Sequence, residues 1–131
     1  MSSRTEYVLD SSALIALVSQ EHGYQRVEEL IGRSSISAVN LAETINKLIQ
    51  KVPTMDTVRL LVAQLDLTVE NWSEDLAFRS AEFSTFNKSH GLSLGDRACL
   101  TLAKHLDATA VTSDRAWQRL PSLGVSVMMF R

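Results

Sequence analysis

EYVLDSSALIALVSQ, residues 6–20, decides the fold. Glu6 to Leu9 is a short β-prone run that ends at Asp10, and Ser11 to Gln20 continues as a helix with a broadly apolar surface. A buried strand thus feeds directly into a buried helix. Tyr24, Val27, Leu30 and Ile31 give a second amphipathic helix that stops at Gly32, and Ser34 to Ala38 is a weak, short strand. From Asn40, helical spacing carries Leu41, Ile45, Leu48 and Val52. Pro53 interrupts, and a new helix presents Val58, Leu61, Val62 and Leu65. Leu67 to Val69 reads as a strand. Ser73 caps a helix with Glu74 and Asp75 in its first turn, where the helix dipole favours them, running to about Lys88. After Gly91, the segment from Ser93 to Leu106 sets Gly95, Ala98, Cys99, Leu102, Ala103 and Leu106 on one face, small enough to lie close against a sheet. Thr109 to Thr112 is a strand, a short helix begins near Asp114 and breaks before Pro121, and Val125 to Phe130 is a last strand. Strands alternating with helices imply an α/β fold with a parallel sheet covered on both faces.

The 131-residue chain is 45% hydrophobic and 21% charged, which suits one compact domain spanning residues 1–131. A chain of this size buries roughly two-thirds of its unfolded surface, enough for a core without disulfides or a structural metal. Its longest apolar run, Ala13 to Val18, is far short of the ~20 residues a membrane-spanning helix needs. MSSRTEY has no signal-like character and Cys99 is the sole cysteine, so a cytoplasmic setting is expected. With a net charge of -2 there is no basic arm to select a nucleic acid through bulk electrostatics.

In parallel sheets the functional crevice lies at the carboxyl ends of the strands. Asp10 and Asp114 each follow an apolar strand, in VLDSS and VTSDR. Either would also serve as a helix N-cap. Glu43 and Asp96 lie three residues after Asn40 and Ser93, in NLAE and SLGD, which is capping-box spacing. Taken singly, each acid therefore has a purely structural alternative. Trp72, Trp117, Phe83 and Phe86 offer rings that stack on bases, but on amphipathic segments they read as core, and Cys99 reads as an inert buried thiol.

VLDSSAL (8–14), SAVNLAE (37–43), LSLGDRACLTLA (92–103) and AVTSDRAW (110–117), in this order and spacing, resemble the PIN-domain nucleases, and among them the VapC-type toxins of toxin–antitoxin pairs. The resemblance covers nearly the whole chain. It implies a three-layer α/β/α domain with strand order 3-2-1-4-5. It assigns metal binding to Asp10, Glu43, Asp96 and Asp114, and a hydroxyl role to Ser12. Many relatives carry a further acid where this chain has Ala116, so no fifth ligand is expected there.

Such a cluster has a direct physical reading, because carboxylates a few ångströms apart in a partly dry crevice repel one another and a divalent cation relieves the repulsion. All-oxygen donors select Mg²⁺ or Mn²⁺. Zinc fits poorly: Cys99 has no partner cysteine, and His22, His90 and His105 match no zinc spacing. The expected reaction is phosphodiester hydrolysis by a water that the metal activates. By resemblance the substrate is RNA, cut to a 5′-phosphate and a 3′-hydroxyl. Of the 15 acids, setting these four aside leaves 11 against 13 basic residues, so a neutralised site no longer repels RNA strongly. Arg97 and Arg115 flank the site and are candidates for phosphate contact.

Rival functions are distinguishable by position. An aspartate-type phosphatase needs a second Asp where Ser12 stands. A phosphoacceptor receiver domain needs an acidic pair at its first strand and a lysine after its last, and the chain lacks both. A PIN-like scaffold that binds RNA or protein without cutting remains the alternative. The apolar stripes on either side of Pro53, from Asn40 to Leu65, either pack into the domain's own core or leave a groove suited to an amphipathic helix. By resemblance the occupant expected of such a groove is a VapB-type antitoxin, and the toxin itself is expected to be a homodimer.

Overall fold

The computed structural model describes residues 4–86, 91–119 and 124–131, the side chains at 85 and 86 aside. Strand β1 (Tyr7–Leu9) passes into helix α1 (Ser11–Ser19), followed by α2 (Tyr24–Leu30) with a 3-10 turn, Ile31–Arg33. Next come β2 (Ser34–Ser37), α3 (Ala38–Leu48), α4 (Met55–Ala63) and β3 (Thr68–Glu70). Helix α5 (Glu74–Arg79) tightens into a 3-10 segment, Ser80–Phe86; then follow α6 (Leu94–His105), β4 (Thr109–Thr112), a 3-10 turn at Arg115–Arg119, and β5 (Val127–Met129).

The strands form one parallel sheet in the order β3-β2-β1-β4-β5, the α/β/α arrangement expected. In the register, Leu9 stands level with Ile36 on one side and Val111 on the other. Successive strand residues point to opposite faces, and the core divides accordingly. Val8 and Ala110 pack with Cys99, Leu100, Leu102 and Trp117 on one face. Leu9 and Val111 pack with Leu14, Leu17, Val27 and Ile36 on the other. Phe83 and Trp117 are buried and Trp72 packs against the same core, so these rings serve packing. The Phe86 side chain lies outside the described residues. No described helix is long and apolar enough to cross a membrane.

Several boundaries differ from the sequence reading. Helix α3 begins at Ala38, not Asn40, because the Ser37 hydroxyl at the end of β2 accepts the Val39 N–H at 3.1 Å and caps the helix. Asn40 therefore lies inside the first turn, and it forms no capping box with Glu43. The regular helix ends at Leu48 and continues as turns in which the Val52 N–H bonds the Leu48 carbonyl at 3.0 Å, just ahead of Pro53. The helix beginning after Ser73 becomes 3-10 at Ser80, and its expected end at Lys88 lies outside the described residues, as does Pro121. β5 is confined to Val127–Met129.

Candidate active site

The two turns leaving β1 and β4 are bound to each other. Asp10 follows β1 as the N-cap of α1, and its Oδ1 accepts the Ala13 N–H at 3.2 Å and the Ser12 hydroxyl at 2.5 Å. Its Oδ2 accepts the Thr112 hydroxyl from the end of β4 at 2.6 Å. Thr112 Oγ1 in turn accepts the Asp114 N–H at 3.0 Å, and Ser12 Oγ accepts the Ser113 N–H at 3.2 Å. Two adjacent parallel strands thus deliver Asp10 and Asp114 to one place through a closed network of hydroxyls. Asp114 Oδ1 caps the following 3-10 turn by accepting the Ala116 N–H at 3.0 Å. The carboxylate itself stays exposed.

Helix α6 leads to the amino end of β4, so it runs against the strands and its first turn returns to their carboxyl end. That turn carries Asp96. Ser93 Oγ accepts the Asp96 N–H at 3.1 Å and Asp96 Oδ2 accepts the Ser93 N–H at 2.9 Å, a full capping box. Glu43 arrives from the second turn of α3. Its Oε1 accepts a hydrogen bond of 3.0 Å from Asn40 Nδ2, which also donates to the Gly95 carbonyl at 2.9 Å. Each acid is held by a local donor, and among the described residues no three of His, Cys, Asp and Glu close into a ready metal cage.

Their charges nevertheless act on one another. Burial pushes the Asp10 carboxyl above its usual range, hydrogen bonds from Ser12, Thr112 and Ala13 oppose that, and the charge of Asp96 adds to the rise. Asp96 is also raised, first by burial and further by the charge of Asp114, against its bonds with Ser93. Cys99, fully buried beneath them, is held well above the ordinary thiol range by burial and by the charges of Asp10, Asp96 and Glu43. It is a protonated packing group, not a ligand.

Charges at the opposite end of the sheet are arranged differently. There Arg4 pairs with Asp107 at 3.4 Å and Arg33 with Glu6 at 3.2 Å. Among the described residues, none of the ion pairs includes Asp10, Glu43, Asp96 or Asp114. An uncompensated, all-oxygen donor set with two raised carboxyls fits a hard divalent cation. Mg²⁺ in particular keeps several waters and needs only one or two carboxylates, so a closed cage is not required.

The PIN domain profile matches residues 7–123. The chain belongs to the PIN domain family. Solved structures of the same fold include VapBC from Salmonella typhimurium bound to DNA, 17% identical with a TM-score of 0.76, covering 96% of this chain and 98% of that one. VapBC from Rickettsia felis, bound to a fragment of its promoter, is 20% identical with a TM-score of 0.72, covering 94% and 97%. A VapC toxin of Mycobacterium tuberculosis that cleaves the sarcin-ricin loop is 15% identical with a TM-score of 0.69, covering 87% and 95%. At these identities the likeness is one of fold. No curated protein sequence matches the chain.

Two residues of this PIN domain site escape sequence reasoning. Thr112 looks like an ordinary strand residue, and only the T-x-D spacing to Asp114 marks it. Asn40 stands at cap spacing from Glu43, which hides its role: the same three-residue spacing inside a helix puts Asn40 and Glu43 on one face. Away from the acids, α3 and α4 leave a cleft of about 430 Å³ lined by Leu41, Ile45, Met55, Val58, Arg59, Val62 and Ala63.

Proposed function

We propose that this PIN domain is a divalent-metal-dependent endoribonuclease, the toxin of a toxin–antitoxin pair. The observation that carries the reading is that Asp10, Asp96, Asp114 and Glu43 lie at the carboxyl end of the sheet with no ion pair to any of them among the described residues, beside a family match over residues 7–123. Asp10, Glu43, Asp96 and Asp114 would hold Mg²⁺ or Mn²⁺, which when bound supplies an activated water and stabilises charge on the leaving oxygen. Ser12 and Thr112 keep Asp10 facing the site through hydrogen bonds to its two oxygens. The exposed Asp114 leaves the crevice open to a phosphodiester backbone, and Arg115 beside it is exposed and would meet phosphate.

The partner reading rests on the VapBC complexes among the structural neighbours and on the apolar cleft between α3 and α4. A VapB-type antitoxin would place an amphipathic helix there, with the toxin a homodimer. The deciding experiment incubates the purified chain with RNA in Mg²⁺, in Mn²⁺ and in chelator, beside Asp10→Asn. Cleavage with metal that disappears in chelator and in Asp10→Asn supports the reading. Undiminished cleavage in chelator overturns the metal mechanism, and RNA binding without cleavage under any metal favours a non-cutting scaffold.

A further inference from the structure

Gly95 and Asn40 meet where α3 crosses the first turn of α6. Gly95 is buried, and a side chain there would overlap the carboxylate of Glu43. The missing Cβ therefore makes room for a carboxylate, not for a neighbouring backbone. Asn40 is 1% exposed, and its Nδ2 spans the Gly95 carbonyl and Glu43 Oε1. Both neighbours are acceptors, so only the NH₂ end of the amide satisfies them, and a flipped amide would set oxygen against two oxygens. The other end, Oδ1, is buried and has no partner among the described residues. Buried polar atoms without partners are unfavourable. The side chain is thus held in an orientation that serves Gly95 and Glu43 at the expense of its own oxygen.

We propose that Asn40 and Gly95 form a seat that fixes the Glu43 carboxylate against the first turn of α6, next to Asp96, and thereby sets the affinity for the divalent cation. Asn40 is a positioning residue in this scheme and touches no metal. The inference rests on the metal-binding reading above and extends it to residues outside the acid set. Fixing a ligand's orientation through a hydrogen-bonded neighbour typically changes metal affinity by about 10–100-fold.

The test is Mn²⁺ binding to the RNA-free protein, followed by electron paramagnetic resonance, in the unaltered chain, Asn40→Ala, Glu43→Gln and the double variant. Circular dichroism melts show that each remains folded at the temperature of the titration. Asn40→Ala is expected to weaken Mn²⁺ binding about 10-fold or more, and to add nothing once Glu43→Gln is present, because its effect runs through that carboxylate. Should Asn40→Ala fail to fold, Asn40→Leu removes the donor at similar volume without adding a charge and is expected to give the same loss. Equal Mn²⁺ affinity in the folded Asn40 variants, or a loss that persists in full on top of Glu43→Gln, overturns the seat alone. No Mn²⁺ binding by the unaltered chain overturns the metal reading itself and the seat with it.

Discussion

The Thr112 hydroxyl donates to Asp10 Oδ2 at 2.6 Å from the neighbouring strand and accepts the Asp114 N–H at 3.0 Å. One buried side chain of β4 thus sets both the orientation of an acid on the adjacent strand and the turn that presents another. The arrangement is possible because β1 and β4 are parallel neighbours with Leu9 level with Val111, so the residues just beyond them emerge side by side.

Thr112→Val keeps the shape and removes both bonds. A buried carboxylate oxygen left without its donor costs about 1–3 kcal/mol, so urea unfolding should show a loss in that range. The hydroxyl is one of the groups lowering the Asp10 pKa, so its removal should push that carboxyl further up and weaken metal-dependent cleavage at neutral pH. Thr112→Ser keeps the donor and should retain most activity. An active, fully stable Thr112→Val would show that the bond has no functional part.

Asp96→Asn separates capping from charge. The amide oxygen can still accept the Ser93 N–H, so the capping box survives while the negative charge is lost. Because the folded pKa of Asp96 is raised above its ordinary 3.8, its contribution to stability is fully present below that value and is lost as pH rises through the folded pKa. The metal-free variant should therefore melt higher than the parent at pH 7, with the gain shrinking toward pH 4. A cap without electrostatic strain predicts no gain at any pH, and paired melts across that range decide.

The acids' order and spacing, and the alternation of β and α segments, were legible because they depend on local apolar pattern and motif. The edges of elements were less so. β2 reads weakly because Ser34, Ser35 and Ser37 are buried polar residues: Ser34 and Ser37 bond locally to the Leu30 carbonyl and the Val39 N–H, and Ser35 meets the Thr5 hydroxyl, a partner that only the fold supplies. Ser37 captures the cap of α3, which moves Asn40 inside the helix and turns an apparent cap into a partner for Glu43. The capping box at Ser93 and Asp96 was readable because both members lie within one turn. Thr112 was not, since its acceptor is 102 residues away.

Mg²⁺ should stabilise the fold. A cation that binds only the folded state adds about 2.7 kcal/mol at a hundred times its Kd. For a domain of this length that corresponds to a Tm increase on the order of 10 °C. The increase should reverse with chelator and be much smaller in Asp10→Asn. A Tm indifferent to Mg²⁺ and Mn²⁺ at millimolar concentration would leave Asp10, Asp96 and Asp114 as structural caps and Glu43 as an acceptor for Asn40.

The cleft between α3 and α4 offers a separate handle on the partner. Its lining is apolar apart from Arg59, Ala63 is exposed at its edge, and Met55 remains 43% exposed. The isolated protein leaves this apolar surface in water, whereas an amphipathic helix would remove it. Ala63→Glu adds a charge at a solvent-facing position, so the free chain should fold and cleave RNA as before. Seating a helix over that charge requires its desolvation, which should weaken the complex with the proposed VapB-type antitoxin by about 10-fold or more. The measurement is a binding titration with the co-expressed partner, paired with a cleavage assay in its presence. Ala63→Glu should then escape inhibition at partner concentrations that silence the parent. Equal inhibition of both would place the antitoxin elsewhere on the surface without touching the nuclease reading.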